Sequence, residues 1–214
     1  MRKKISQYKE LLVHKQFLIS FGVAFIFLIV SLFVNFYAGT YATESASNSV
    51  TDIILSNIRV YDVDNFFIYG SFIFALCATL VCLYKPERIP FVVKSVALFI
   101  IIRSIFISLT HLGPFPTQLI IDSKIMSKTS FGADLFFSGH TGMPFLLALI
   151  FWKDKWTRYM FLSFSLMFAI VVLLAHLHYS IDVLAAFFIT YTIFHIALYL
   201  FGKDRKMFHY FENI

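Results

Sequence analysis

Six apolar runs, each bounded by a short polar connection, leave this chain few ways to fold. They cover residues 17–37, 66–84, 91–110, 138–152, 159–175 and 181–201. A helix rises about 1.5 Å per residue, so roughly 20 apolar residues cross the roughly 30 Å hydrocarbon core of a bilayer. Within that core a helix satisfies its own backbone N–H and C=O groups. The expected fold is therefore all-α, a six-transmembrane-helix bundle. The fourth run, 138–152, is the short one, so its start is expected at headgroup depth or within one leaflet.

Composition agrees with this reading. The 214 residues are 59% hydrophobic and 14% charged, against about 45–50% and about 25% in soluble domains; mean hydropathy is +0.80. The net charge of +6 does not point to nucleic acid, because Lys and Arg gather at the ends of apolar runs as topology signals do. Arg2, Lys3, Lys4, Lys9 and Lys15 precede the first run, and Lys85, Arg88 and Lys94 surround the second turn. Lys153, Lys155 and Arg158 fill the fourth, and Lys203, Arg205 and Lys206 follow the last. The other connections carry only Arg59, Lys124 and Lys128. Both termini are thus expected in the cytoplasm, with 1–16 and 203–214 as tails around a single membrane catalytic domain at 17–202. The first run is longer than the roughly 7–15 residues of a signal-peptide core and reads as a retained anchor. Cys77 and Cys82, five apart in one apolar run, fall on different helix faces and do not suggest a disulfide. No Gly-rich phosphate loop, Cys-x-x-Cys pair or His-Glu-x-x-His motif occurs, so no metal or cofactor is expected.

Against this apolar background, two polar clusters carry the chemistry. One is Phe137-Ser-Gly-His-Thr141, just before the fourth run; the other is His176-Leu-His-Tyr-Ser-Ile-Asp182, just before the sixth. Ionisable groups at the edge of a membrane helix are costly and usually functional. If the last helix already includes His178, the four-residue spacing stacks Asp182 on the same face. Asp182 would then hold one ring N–H and leave the other nitrogen to attack. By the charge pattern both clusters fall on the exoplasmic side.

Phosphoryl transfer needs a nucleophile, stabilisation of the non-bridging oxygens and a proton for the leaving alkoxide. His178 oriented by Asp182 supplies the first and His140 the proton. The N–H groups at Ser138, Gly139 and Thr141, with the Ser138 hydroxyl, suit a phosphate. Arg103, inside the third run, is a further candidate contact, and Asp134 could balance a cationic head group. The blander reading makes Ser138 a helix N-cap and Arg103 a structural charge bound to a carbonyl or to Asp134. His176 is either a support for the site or an interfacial histidine, and residues 50–60 an interfacial stretch without assigned chemistry.

These residues resemble a known family. Ser-Gly-His-Thr, followed some thirty residues later by Ala-His-x-His-Tyr-x-Ile-Asp-Val, is similar to the sphingomyelin synthase branch of the type 2 phosphatidic acid phosphatase superfamily. The similarity extends to Arg103, the stretch 109–116, Asp134, Ala185 and Ile189-Thr190, and reaches the first half only in helix count. It implies a catalytic triad of His140, His178 and Asp182, with the head group carried on His178. The superfamily's phosphatase branch has a Ser-Arg pair before its second histidine and a Lys-x6-Arg-Pro motif. Here Val171-Val172 occupies the first place, and Lys94 and Arg103 have the wrong spacing. The loss of cationic clamps fits a diester donor. The partners expected are membrane lipids: a phospholipid donor, and ceramide, diacylglycerol or water as acceptor. A phosphatase of the same superfamily, a non-catalytic lipid-binding or transport protein and, distantly, a rhomboid-like protease are the alternatives.

Overall fold

The computed structural model describes residues 2–119 and 135–206. Asp134, one of the expected binding residues, lies outside them. The described residues form α1 (Arg2–Val13), α2 (Lys15–Glu44), α3 (Asp64–Tyr84), a 3₁₀ turn (Pro86–Arg88), α4 (Ile89–Leu109), α5 (Gly139–Ile150), α6 (Lys155–Leu174) and α7 (Ser180–Leu200), with no strand among them. Five helices in this part are long and apolar enough to cross a membrane: Lys15–Glu44, Asp64–Tyr84, Pro86–Leu109, Lys155–Leu174 and Ser180–Leu200. Gly139–Ile150 is apolar but shorter.

The first helix extends well past its apolar run. At 30 residues α2 is about 45 Å long, more than the hydrocarbon core requires. Ser20, Ala24, Ser31, Ala38 and Ala42 are buried along it at helical spacing. Such a stripe of small residues lets two backbones approach closely where no hydrophobic force acts between helices. Its neighbour is α4, the most buried of the long helices.

The short helix α5 sits inside the bundle, against α3, α4, α6 and α7. Thr141, Leu146 and Ala148 are completely buried. Surrounded by protein, this helix has no need to match the lipid thickness, which accounts for a span of only 12 residues. At Gly142 an added Cβ would lie 2.7 Å from Thr190 Oγ1 and 2.9 Å from the Phe99 ring, so only glycine permits this approach of α5 to α7 and α4.

The basic end of the bundle is fastened by ion pairs. Lys94 Nζ lies 2.7 Å from Asp204 and 2.8 Å from Ser20 Oγ, and Ser20 Oγ also bonds Asp204, joining α2, α4 and the chain beyond α7. Lys85 meets Asp154 at 2.8 Å, and Asp154 accepts from Thr157 N–H as the N-cap of α6. The N-terminal basic segment is a helix whose Leu11 is buried beside Phe17, and the Tyr8 hydroxyl donates to the Leu83 carbonyl.

At the opposite end the connections weave together. Residues 50–60 form neither helix nor strand. Tyr61 N–H donates to the Leu174 carbonyl at 3.0 Å, Leu119 N–H to the Ala175 carbonyl at 3.0 Å and Gly113 N–H to the Asn48 carbonyl at 3.2 Å. Leu55, Leu135 and Tyr179 bury one another there, with Phe115 and Leu112 against them.

Candidate active site

The site begins where α6 stops. His176 N–H bonds the Leu173 carbonyl at 3.0 Å and Leu177 N–H the Val172 carbonyl at 2.8 Å. This is the Schellman pattern, with His176 in the left-handed position at φ 53° where glycine is usual. The ring compensates through contacts: Nδ1 lies 2.7 Å from Thr117 Oγ1, and Phe115 meets it edge-on. Its Nε2 is buried without a partner, and burial lowers its pKa against the opposing charge of Asp52. His176 thus ends one helix and turns the chain toward His178.

α7 starts at Ser180, with Tyr179 as its N-cap, so His178 lies just outside the helix. The histidine and Asp182 meet through the geometry of the helix start and not by stacking on one helical face. Asp182, third in the helix, folds back: its Oδ2 accepts Tyr179 N–H at 3.0 Å and lies 3.4 Å from His178 Nδ1. The same Nδ1 lies 3.0 Å from the Leu135 carbonyl. A carbonyl oxygen only accepts, so Nδ1 carries the proton and in the neutral ring Nε2 keeps the lone pair. Asp182 is completely buried, its Oδ1 has no partner, and His178 is 7% exposed.

The second cluster lies beside the first. Ser138 N–H donates to the Asp182 carbonyl at 3.3 Å, tying the start of α5 to the start of α7. The Ser138 side chain caps α5 by accepting Thr141 N–H at 3.4 Å. Ser138 and Thr141 are fully buried; the Thr141 carbonyl accepts the Ser165 hydroxyl at 2.8 Å, and Thr141 Oγ1 has no partner. Arg103 reaches the same turn. Its Nε donates to the Phe137 carbonyl at 2.9 Å, and a Cβ on Gly139 would lie 3.2 Å from that nitrogen. Of the two bland readings of Arg103, this is the carbonyl one, placed at the mouth of α5.

His140 is half-buried on the first turn of α5. Its ring lies 4.4 Å from Phe67 and 5.7 Å from Phe168, centroid to centroid, between α3 and α6. The His178 ring and Arg103 are both close enough to act on it electrostatically. Ser138, Gly139, His140, Thr141, Arg103, His178 and Asp182 are therefore gathered at one end of the bundle. Lys94, nine residues before Arg103 on α4, is roughly 13 Å away along the helix axis and belongs to the other end.

Sequence reading missed three contributors. Leu135 acts through its carbonyl, and Phe67 is one aromatic among many apolar residues, so neither carries a sequence signal. Asp52 does stand out among the carboxylates of the first long connection, because the apolar Ile53-Ile54-Leu55 follows it directly. Its Oδ2 accepts Ser180 N–H at 2.7 Å, and its Oδ1 accepts Ile54 N–H at 2.8 Å and Leu55 N–H at 3.1 Å. Burial pushes this carboxyl up, but the amides of Leu55, Ser180 and Ile54 and the Ser180 hydroxyl together outweigh it and hold the group below the usual carboxylate range.

Residues 132–199 match the family model of the PAP2 superfamily C-terminal domain, a segment that includes Ser138, His140, His178 and Asp182 but not Arg103 or Asp52. No curated protein and no solved structure matches the chain. The match covers less than half of the chain and likens that segment to a superfamily whose members are generally phosphatases and phosphotransferases; the long apolar helices are compatible with a multi-pass membrane protein.

Proposed function

We propose that the protein is a sphingomyelin synthase-like lipid head-group phosphotransferase. It moves the phospho-head-group of a glycerophospholipid to a lipid alcohol such as ceramide or diacylglycerol. The observation that carries this reading is the double hold on His178 Nδ1–H, by the Leu135 carbonyl and Asp182, which presents Nε2 as the nucleophile.

The reaction runs in two displacements. Nε2 of His178 attacks phosphorus, the P–O bond to the diacylglycerol oxygen breaks, and His140, carrying a proton that the anionic phosphate beside it stabilises, gives that proton to the departing alkoxide. His140, now neutral, takes the proton of the acceptor hydroxyl. That oxygen attacks the phosphohistidine, and the N–P bond breaks. Asp182 offsets the charge that builds on the His178 ring. The non-bridging oxygens lie against the N-terminal turn of α5, where the amides of Gly139 and His140, the Ser138 hydroxyl and the helix dipole favour an anion, while the amides of Ser138 and Thr141 are taken by the Asp182 carbonyl and Ser138 Oγ. The Arg103 charge beside Gly139 adds to the same field, and Asp134 is assigned to a cationic head group.

In this reading α5 is a sixth, partial crossing, both termini are cytoplasmic and the site opens to the exoplasmic leaflet. The distribution of Lys and Arg supports that orientation. A test supplies purified protein with head-group-labelled phosphatidylcholine or phosphatidylethanolamine and ceramide. The expected results are a new labelled lipid and an acid-labile label on the protein that His178→Ala abolishes. Release of phosphate from monoester lipids alone would assign the site to hydrolysis, with water as acceptor. Lipid binding that survives His178→Ala, without turnover in wild type, would assign the chain to the non-catalytic class.

A further inference from the structure

Asp52 sits in the connection between α2 and α3, is 7% exposed, and reaches a donor 128 residues away. A buried carboxylate is costly unless its oxygens are hydrogen-bonded, and here both are. Oδ1 takes two amides of its own turn, and Oδ2 takes the amide of Ser180. Ser180 is the first residue of α7, and its N–H is one of those a helix leaves without an internal partner. Asp182 holds the amide of Tyr179 and Asp52 that of Ser180, so two carboxylates grip the two amides that follow His178. The same loop is clasped again through Tyr179, whose hydroxyl accepts Val50 N–H at 3.2 Å and donates to the Gly113 carbonyl at 2.9 Å.

We infer that Asp52 is a positioning residue for the nucleophile. By holding Ser180 N–H it fixes the first turn of α7, and with it Asp182 and the His178 ring, in the orientation that keeps the lone pair on Nε2. The inference rests on the phosphotransfer reading above, and Asp52 itself touches no substrate.

The test uses the full chain in lipid nanodiscs with labelled phosphatidylcholine and ceramide, and compares Asp52→Ala, Asp52→Asn and Ser180→Pro. Proline suits the first position of a helix, and Tyr179 already has the extended ψ of 156° that a residue before proline adopts, so Ser180→Pro deletes the donor and keeps the helix start. Asp52→Ala and Ser180→Pro are each expected to lower kcat about 10- to 100-fold, the scale of a small misplacement of a reacting group, with KM little changed. Combined, they should lose no more than Asp52→Ala alone, because Ser180→Pro removes only contacts to Asp52 that this variant already lacks. Asp52→Asn retains one acceptor oxygen, enough for Ser180 N–H but not for the Ile54 and Leu55 amides as well, and should restore part of kcat. Wild-type kcat in Asp52→Ala, a loss carried by KM, or losses that multiply in the double variant would overturn the inference.

A second measurement needs no turnover. In ¹⁵N-histidine spectra of the wild type, His178 should show one tautomer, protonated at Nδ1, and Asp52→Ala should give a mixture. An unchanged spectrum sinks the positioning role even if the protein proves active. A mixed spectrum in a protein without turnover sinks the phosphotransfer reading and supports the hold on the ring.

Discussion

The two ends of the bundle bury ionisable groups in opposite ways. At the basic end Lys94 meets Asp204 and Ser20, and Lys85 meets Asp154, so each charge faces its complement. At the other end two carboxylates and a histidine are held chiefly by backbone: Asp182 by Tyr179 N–H, Asp52 by three amides, and His178 partly by a carbonyl. Asp182 Oδ1, Thr141 Oγ1 and His176 Nε2 are left with no partner at all. Paired charges cancel and hold helices together. Groups oriented by backbone keep their own charge and lone pairs for a ligand.

The comparison yields a dissociation that experiment can break. His178→Ala is expected to lower turnover by at least about 10⁴-fold, as removal of a nucleophile does, and to cost in unfolding only about 1–3 kcal/mol, that of a buried acceptor left without its donor. Lys94→Ala should do the reverse. It leaves Asp204 buried without its cation, a loss of about 3–5 kcal/mol in unfolding, while the surviving folded protein turns over normally. Should Lys94→Ala stop turnover without lowering the midpoint, the basic end takes part in the chemistry and the contrast fails.

Gly142→Ala tests the scaffold between the two ends. Its Cβ would meet Thr190 Oγ1 at 2.7 Å and Phe99 at 2.9 Å, so thermal unfolding should report a destabilisation of about 1–3 kcal/mol. An unaffected midpoint would mean that α5 shifts freely against α7.

The smallest effect concerns pH. The folded-state pKa of Asp52 is depressed, below the unfolded value of about 3.9. Its contribution is therefore complete above that value and is lost as pH falls through the folded one. Between about pH 5 and 3 the wild-type midpoint should drop further than that of Asp52→Asn. Parallel curves would show that the three amides do not stabilise the ionised form.

Much of this was legible in the sequence, and for local reasons. Apolar runs near 20 residues must be helices in lipid, whatever surrounds them. Pro86 and Pro90 mark the break between α3 and α4, and Ser138 announces itself as an N-cap before Gly139–Ile150. The four-residue spacing of His178 and Asp182 marked the pair, although α7 begins after His178 and the contact comes from Asp182 folding back over the helix start. The turn at His176 was hidden, because the usual signal for a left-handed helix end is glycine and none is present there.

What the sequence determined alone is whatever depends on neighbours along the chain: where helices run, where they stop, and which polar residues interrupt them. Only the tertiary structure decided the tautomer of His178, through a carbonyl 43 residues away, and the hold on Ser180 N–H by Asp52, 128 residues from it. It also separated Lys94 from Arg103, two cations on one helix whose surroundings differ. The reason is physical. Hydropathy and capping act within a turn or two of helix, whereas the direction of a ring nitrogen or the partner of a buried charge is set by whichever backbone the packed bundle brings beside it.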